Sequence, residues 1–349
     1  MIAPIHGRGA ASNPVNRFES IVYERDCEAD PDADPAPITQ FLRDTTKSII
    51  SRNDSPDVGF SASVNPYRGC EHGCVYCYAR PTHEFLGMSA GLDFETKILV
   101  KENAPELLRA ELSEPGWKPQ PLALSGVTDC YQPIERKLQI TRRCLEVLCE
   151  FRNPTIIITK NRLVTRDIDL LRQLTEYDAA SVAVSVTSLD RGLQRDLEPR
   201  TSTPENRLQA IRELSAARIR VSVMIGPVIP GLNDHEIPAI LKAAADAGAA
   251  GAGYVVLRLP FAVKALFEQW LEMHRPLAKD KILNAIRSLR SGNLNDPRFN
   301  TRMRGEGPVA DQIKQLFEIS KRRYGLDGVR HPLSVEAFRR PGPQMRLWD

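Results

Sequence analysis

Asn65-Pro66-Tyr67-Arg68-Gly69-Cys70-Glu71-His72-Gly73-Cys74-Val75-Tyr76-Cys77-Tyr78-Ala79-Arg80 is the most informative stretch of this 349-residue chain. Three cysteines fall within eight residues, spaced C-x3-C-x2-C. Gly69 and Gly73 let the backbone turn tightly enough for three sulfurs to converge. Thiolates are the ligands that soft metals and iron–sulfur clusters prefer. A structural zinc site closes with four ligands, and an electron-transfer cluster normally takes four cysteines. Here the local set stops at three, which leaves one iron of a 4Fe–4S cluster without a protein thiolate. The cluster, held by Cys70, Cys74 and Cys77, is the favoured reading. A zinc site completed by His72 or His83, and a set of free buried cysteines, are the alternatives.

Outward from this loop the pattern is one of short apolar, β-branched runs. They are Pro121–Val127, Thr155–Thr159, Val182–Val186, Arg220–Ile225 and Tyr254–Leu259, and Ser61–Tyr67 makes a sixth. Helix-like segments lie between them. Leu138, Leu145 and Leu148 recur at helical spacing in Arg136–Phe151, and Ile168, Leu171 and Leu174 do so in Asp167–Tyr177. Thr203 is placed to cap a helix that has Pro204 at its first position. A further helix is expected from near Asp234 to Gly248. The repeat is about thirty residues, the size of a βα unit, and such alternation implies a parallel sheet. It does not separate a closed barrel, a partial barrel and an open doubly wound sheet. Residues 1–60 read as an irregular N-terminal arm, 61–260 as the core, and 261–349 as a mostly helical extension. In that extension Phe267, Trp270 and Leu271, then Ile313, Leu316 and Phe317, sit at helical spacing.

The cysteine spacing resembles the signature of the radical S-adenosylmethionine superfamily. Gly7-Arg-Gly-Ala10, Asn13-Pro-Val-Asn-Arg-Phe18, Thr128-Asp-Cys-Tyr-Gln-Pro-Ile-Glu135, Thr159-Lys-Asn161, Glu198-Pro-Arg200, Pro230-Gly-Leu-Asn-Asp234 and Leu257-Arg-Leu-Pro260 extend the likeness over nearly the whole chain. They resemble a branch related to spore photoproduct lyase. The resemblance implies a partial TIM-like (βα)6 barrel of α/β class, a 4Fe–4S cluster and S-adenosylmethionine. It implies reductive cleavage of S-adenosylmethionine to a 5′-deoxyadenosyl radical that abstracts hydrogen from substrate. It also implies an external one-electron reductant such as flavodoxin or ferredoxin.

In a βα barrel the site forms at the C-terminal ends of the strands. The polar residues there are Ser125 to Asp129, Thr159 to Asn161, Ser185 to Ser188, Gly226 to Gly231 and Arg258. By resemblance, the Ser125–Asp129 turn replaces the family's Gly-Gly-Glu segment, with Asp129 the acceptor for the methionine ammonium. Lys160, Ser185 and Thr187 would face the ribose or carboxylate, and Arg200 would pair with the carboxylate. Tyr76 and the Val228–Gly231 bend would lie against the adenine. Cys130 is the candidate hydrogen donor, against the plainer reading of a buried rim residue. Cys144 and Cys149 read as core residues, and Cys27 in the arm carries no signal.

Net charge is only +3, but residues 286–349 hold thirteen Lys/Arg against seven Asp/Glu. A basic region of this kind can bind phosphates, so nucleic acid enters as a candidate substrate class; a solvated helix surface is the plainer account. Spore photoproduct lyase uses a late cysteine as hydrogen donor, and this sequence has none after Cys149. Its composition is that of an ordinary globular protein. No run is apolar enough to span a membrane, no secretory pattern opens the sequence, and the cysteines lack a disulfide framework, so the expected location is cytoplasmic. The rival from another class is a non-catalytic metal-binding, nucleic-acid-binding protein. A hydrolase is disfavoured by the absence of His-x-Glu-x-x-His and Gly-x-Ser-x-Gly.

Overall fold

Each of the six β-branched runs forms a strand. The computed structural model describes residues 3–19, 37–328 and 331–342; Cys27, Arg330, Arg346 and nearly all of the Asp30–Pro37 stretch lie outside them. The strands are β1 (Gln40–Arg43), β2 (Ile50–Arg52), β3 (Ala62–Val64), β4 (Tyr67–Arg68), β5 (Lys97–Val100), β6 (Leu122–Leu124), β7 (Thr155–Thr159), β8 (Ala180–Ser185), β9 (Arg220–Val228) and β10 (Gly251–Val256). Seven make one sheet in the order β10-β9-β8-β7-β6-β3-β2. From β3 to β10 every pairing is parallel, with Ala62 opposite Leu122, Thr155 opposite Ala180 and Ser222 opposite Gly251. Within this sheet only β2 is antiparallel.

Helices cover the outer face, as crossover connections require. On the strands, residues such as Leu124, Ile157, Val182, Val184, Val223 and Ile225 are fully buried in one core. Two expected helix boundaries shift for local reasons. Gln139, at φ 53°, breaks the Arg136–Phe151 segment into Glu135–Leu138 and Ile140–Phe151. Arg162–Asp167 forms a 3-10 turn ahead of the helix Ile168–Thr175. Thr203 caps Pro204–Ala216 as expected, its side chain accepting from Asn206 N.

The sheet does not close, because β10 and β2 are its two edges. The segment 300–303 bridges the gap instead. Val256 N of β10 donates to Met303 O at 2.9 Å. The neighbouring Arg302 pairs with Asp57, in the loop between β2 and β3, and Asn300 N donates to Asp57 Oδ1 at 2.6 Å.

Strands β1, β4 and β5 were not evident in the sequence. They form a small second sheet in the order β1-β5-β4, which anchors the start of the cysteine loop. The C-terminal helices Val263–His274 and Lys279–Ser288 pack Phe267, Trp270, Leu271, Ile282 and Ile286 into a second core. Val75 and Tyr76 of the cysteine loop belong to that core, so the extension braces the site.

Candidate metal and cofactor centre

The cysteine loop leaves β4 at Gly69 and crosses the C-terminal rim of the parallel sheet. Gly69 and Gly73 have φ of 83° and 67°, which glycine adopts without strain. A Cβ on Gly69 would meet His83 Cε1 at 2.9 Å, and one on Gly73 would meet Glu95 Oε2 at 2.8 Å. The loop folds on itself: Gly73 N donates to Cys70 O, Cys77 N to Cys74 O and Arg80 N to Cys77 O.

A buried ion pair sits beneath it. Arg80 and Glu95 are both fully buried, 2.5 Å apart. Arg80 donates further to the carbonyls of Cys74, Gly73, Ala90 and Gly91. Glu95 accepts from Gly9 N at 3.0 Å and Ala10 N at 2.8 Å, which docks the N-terminal arm against the loop. A Cβ on Gly9 would lie 1.7 Å from Gly73 O. Gly9→Ala is therefore expected to lift the arm off the loop and cost about 1–3 kcal/mol, read from denaturant unfolding of the purified protein. Unchanged stability would contradict this contact.

Cys70, Cys74 and Cys77 are free thiols, buried to half-buried. Burial pushes the Cys74 and Cys77 thiols up, while Lys160 acts on both in the opposite direction and Arg80 does so on Cys77. These cations favour the thiolates that a metal needs. Among the described residues, no three His, Cys, Asp or Glu side chains gather closely enough to hold a single metal ion. A cubane differs in what it asks of its ligands. Its thiolates bind three separate irons, so they need not converge on one point. Three free cysteines on one glycine-turned loop, with cations beside them, fit that group.

His72 is not free to complete a zinc site. Its Nδ1 lies 3.4 Å from Asp129 Oδ2 and its Nε2 3.3 Å from Asn161 Nδ2. Burial opposes its charging, but the Asp129 carboxylate and Cys70 outweigh this and its pKa is pushed up to about 10. His83 is buried under the loop, its Nε2 2.9 Å from Lys97 O.

The other expected residues fall into two groups. Around one point stand Tyr76, Thr187 and Lys160. Tyr76 OH lies 3.5 Å from Thr187 Oγ1, and Lys160 Nζ is 5.9 Å from the Tyr76 ring centroid. Ser185 is buried one alternation below Thr187 on the same chain segment, and its carbonyl accepts from Arg207. Arg200 pairs with Glu71 at 2.9 Å and reaches Thr39.

The second group is committed to the scaffold. Asp129 accepts from Thr159 Oγ1, Lys160 N and Tyr131 N besides facing His72. Burial works against its charge, but the His72 cation and these donors hold its carboxyl below the usual range. Ser125, at φ 82°, accepts from Cys130 N at 2.8 Å. Val228 is fully buried and its carbonyl takes Leu257 N. Gly231 N donates to Asp234 Oδ1. Cys130 is fully buried in the main core; its carbonyl accepts from Thr141, and its thiol is shut from solvent beside Ser125 and Asp129.

One hub was missed from the sequence, where Glu198 entered only as part of the Glu198-Pro-Arg200 motif and was given no role. Glu198 is fully buried and pairs with Arg207, which is 1% exposed. It also accepts from Tyr76 OH and from Thr187 Oγ1. The signal was available: Arg207 shares a helix face with Ala210, Ile211 and Leu214, all fully buried. Asn233 is a second such residue. It is fully buried and donates to Thr187 O and Pro227 O while accepting from Ile229 N, so it ties the β9 bend to Thr187.

Comparison with known proteins agrees with this geometry. Residues 64–244, more than half of the chain, match the Radical SAM superfamily. An uncharacterized protein of Mycobacterium tuberculosis is 38% identical over 219 residues, covering 62% of this chain and 64% of that protein. The chain thus aligns with just under two thirds of the length of its mycobacterial relatives. The Radical SAM Nalpha-GlyT isomerase of Pseudomonas phage M6 is 30% identical over 184 residues, 51% of this chain and 35% of that one. Among solved structures, a mutant of spore photoproduct lyase superposes with a TM-score of 0.55 at 17% identity, covering 81% of this chain and 78% of that one. A mutant with bound AdoMet and dinucleoside spore photoproduct gives 0.53 at 16% identity, covering 81% and 77%. At such identities the likeness is one of fold, and it is the fold described above. On the family match, this chain belongs to the radical SAM superfamily, whose cofactors are a 4Fe–4S cluster and S-adenosylmethionine.

Proposed function

We propose that this chain is a radical S-adenosylmethionine enzyme in which Cys70, Cys74 and Cys77 hold the cluster and the fourth iron is left for S-adenosylmethionine. The observation that carries this reading is the placement of exactly three free cysteines on one buried-pair-braced loop at the C-terminal rim of a six-stranded parallel sheet. When bound, the cluster and S-adenosylmethionine supply one-electron cleavage of the sulfonium and abstraction of hydrogen from substrate.

The chain's own residues bind and orient. Lys160 presents an ammonium beside the Tyr76 ring and without a carboxylate partner among the described residues, which suits it to the methionine carboxylate. Tyr76 and Thr187 are fixed by Glu198 and would position the adenine and ribose with Ser185. Arg200 is shared with Glu71 and remains about one third exposed, so a carboxylate can reach it. Asp129 and Ser125 shape the turn facing the methionine end, and the Val228–Gly231 bend borders the adenine. Lys160→Ala in the cluster-loaded protein is expected to weaken S-adenosylmethionine binding about tenfold or more, measured by titration calorimetry, with iron content unchanged. Unchanged affinity would remove Lys160 from the site.

The finer reading is that the substrate is a nucleic acid. The fold is that of a lyase solved with a dinucleoside photoproduct, and the helix Pro308–Arg323 ends in Lys321, Arg322 and Arg323. The basic region is less free than its composition implied. Arg298 and Arg302 pair with Asp296 and Asp57, while Arg290, Arg339 and Arg340 bind backbone carbonyls. Electrons would come from a flavodoxin or ferredoxin. The cytoplasm is the proposed location; among the described residues no helix is long and apolar enough to cross a membrane. The test is binding of a single-stranded oligonucleotide by the cluster-loaded protein. Phosphate contacts release counterions, so affinity should fall about tenfold or more between about 50 and 200 mM salt. Absent or salt-independent binding would leave the radical chemistry standing and point to a protein or small-molecule substrate.

A further inference from the structure

Arg258 follows β10 in Leu257-Arg258-Leu259-Pro260 and reaches across the open mouth of the sheet. Its guanidinium carbon lies 5.4 Å from the centroid of the Tyr78 ring. Tyr78 directly follows Cys77 and is tied to the far side of the mouth, its hydroxyl donating to Gly126 O at 3.0 Å beyond β6. The guanidinium therefore stands between the last strand and the cysteine loop.

Three arginines gather at this place, and two have oxygen partners. Arg290 donates through both terminal nitrogens to the carbonyls of Thr301, Leu257 and Arg302, and only its Nε is left without a partner among the described residues. Arg302 is bound by Asp57 and Ser55. Among the described residues Arg258 has only the Met303 sulfur as a hydrogen-bond acceptor, at 3.8 Å, a weak one. Its Nε is buried without a hydrogen-bond partner among the described residues. Burial, and then Arg302, push its pKa down, with Tyr78 and the Asp57 carboxylate, which is bonded to Arg302, acting less strongly the other way. A guanidinium offers a planar fork of donors that matches carboxylate and phosphate oxygens. A cation left short of acceptors in a cofactor-side mouth is costly unless a ligand completes it.

We propose that Arg258 is a substrate-anchoring residue that binds an oxyanion, phosphate or carboxylate, of the second substrate beside Tyr78. This rests on the reading of the rim as a radical S-adenosylmethionine centre. It limits the substrate to molecules that carry such a group close to the reacting carbon.

The test uses full-length protein loaded with its cluster, reduced, and saturated with a non-cleavable S-adenosylmethionine analogue. The probes are inorganic phosphate and acetate. A reduced cluster is paramagnetic, so it broadens the phosphorus or carbon resonance of an anion held near it. Saturable broadening is expected, falling about fivefold or more in Arg258→Met and partly retained in Arg258→Lys, with analogue affinity unchanged. A stronger effect on phosphate supports a phosphate-bearing substrate, and a stronger effect on acetate a carboxylate-bearing one. Absence of broadening, or equal broadening in Arg258→Met, would overturn the proposal. A loss of analogue affinity in Arg258→Met would overturn it too, since the arginine would then hold the cofactor's own carboxylate. Cluster content and analogue binding are read in the same samples. Their failure in the unaltered protein would count against the radical reading itself, and not against Arg258 alone.

Discussion

Replacing any one of Cys70, Cys74 or Cys77 by alanine is expected to remove most of the bound iron and to lower S-adenosylmethionine cleavage by about 100-fold or more. The loop supplies three thiolates and the rim supplies no evident fourth. Each thiolate serves one iron, so no neighbour can take over when one is lost. His72 is held by Asp129 and Asn161, and Cys130 is sealed in the core. The loss should be confined to the centre. Gly69, Gly73 and the Arg80–Glu95 pair, which shape the loop, are untouched by these changes. The unfolding midpoint of the cluster-free variants should match that of the cluster-free parent. Cys144→Ala, in the core, is the contrast: it should alter stability and leave iron content intact. Iron analysis and product quantification on the four variants check this. Full iron loading in a single-cysteine variant would contradict the ligand assignment.

The second large effect is expected at Arg207. Arg207→Met leaves the Glu198 carboxylate fully buried without its cation, and removing one partner of such a pair costs about 3–5 kcal/mol. Burial already drives the Glu198 pKa up, with Arg207 the main opposing influence, so the orphaned carboxyl should take up a proton. Tyr76 and Thr187 both bond Glu198, and they are the residues proposed to position the adenine and ribose. Cofactor affinity should therefore weaken along with stability. The double variant Glu198→Gln with Arg207→Met removes both charges and should recover part of the stability. Denaturant unfolding gives the first quantity and calorimetry the second. A cost below about 1 kcal/mol for Arg207→Met would show that the pair is solvated in the protein.

The parallel sheet was legible because its strands read as β-branched runs, such as Thr155–Thr159 and Arg220–Ile225, whose residues alternate between buried and partly buried and leave neither face exposed. Strands β1 and β4 carry no such mark. Gln40–Arg43 is exposed throughout, and Tyr67–Arg68 is two residues long. They exist because β5 pairs with them, which is a tertiary fact. In the site, the cysteines were legible from spacing. The Glu198–Arg207 pair was not, since two charged residues nine positions apart look solvated until a helix turns one of them inward. Arg258 was legible as a rim position only. Its lack of an oxygen partner among the described residues follows from how Arg290 and Arg302 take up the carbonyls and carboxylate nearby, which no pattern in the chain displays.

The most direct test of the account is made on protein purified without oxygen, reconstituted with iron and sulfide, and reduced. Conversion of S-adenosylmethionine to 5′-deoxyadenosine is then measured beside the Cys70→Ala, Cys74→Ala and Cys77→Ala triple variant. The account predicts cleavage by the parent protein and none by the variant. Zinc in place of iron, with no cleavage by either, would contradict it and make the chain a metal-binding protein without radical chemistry.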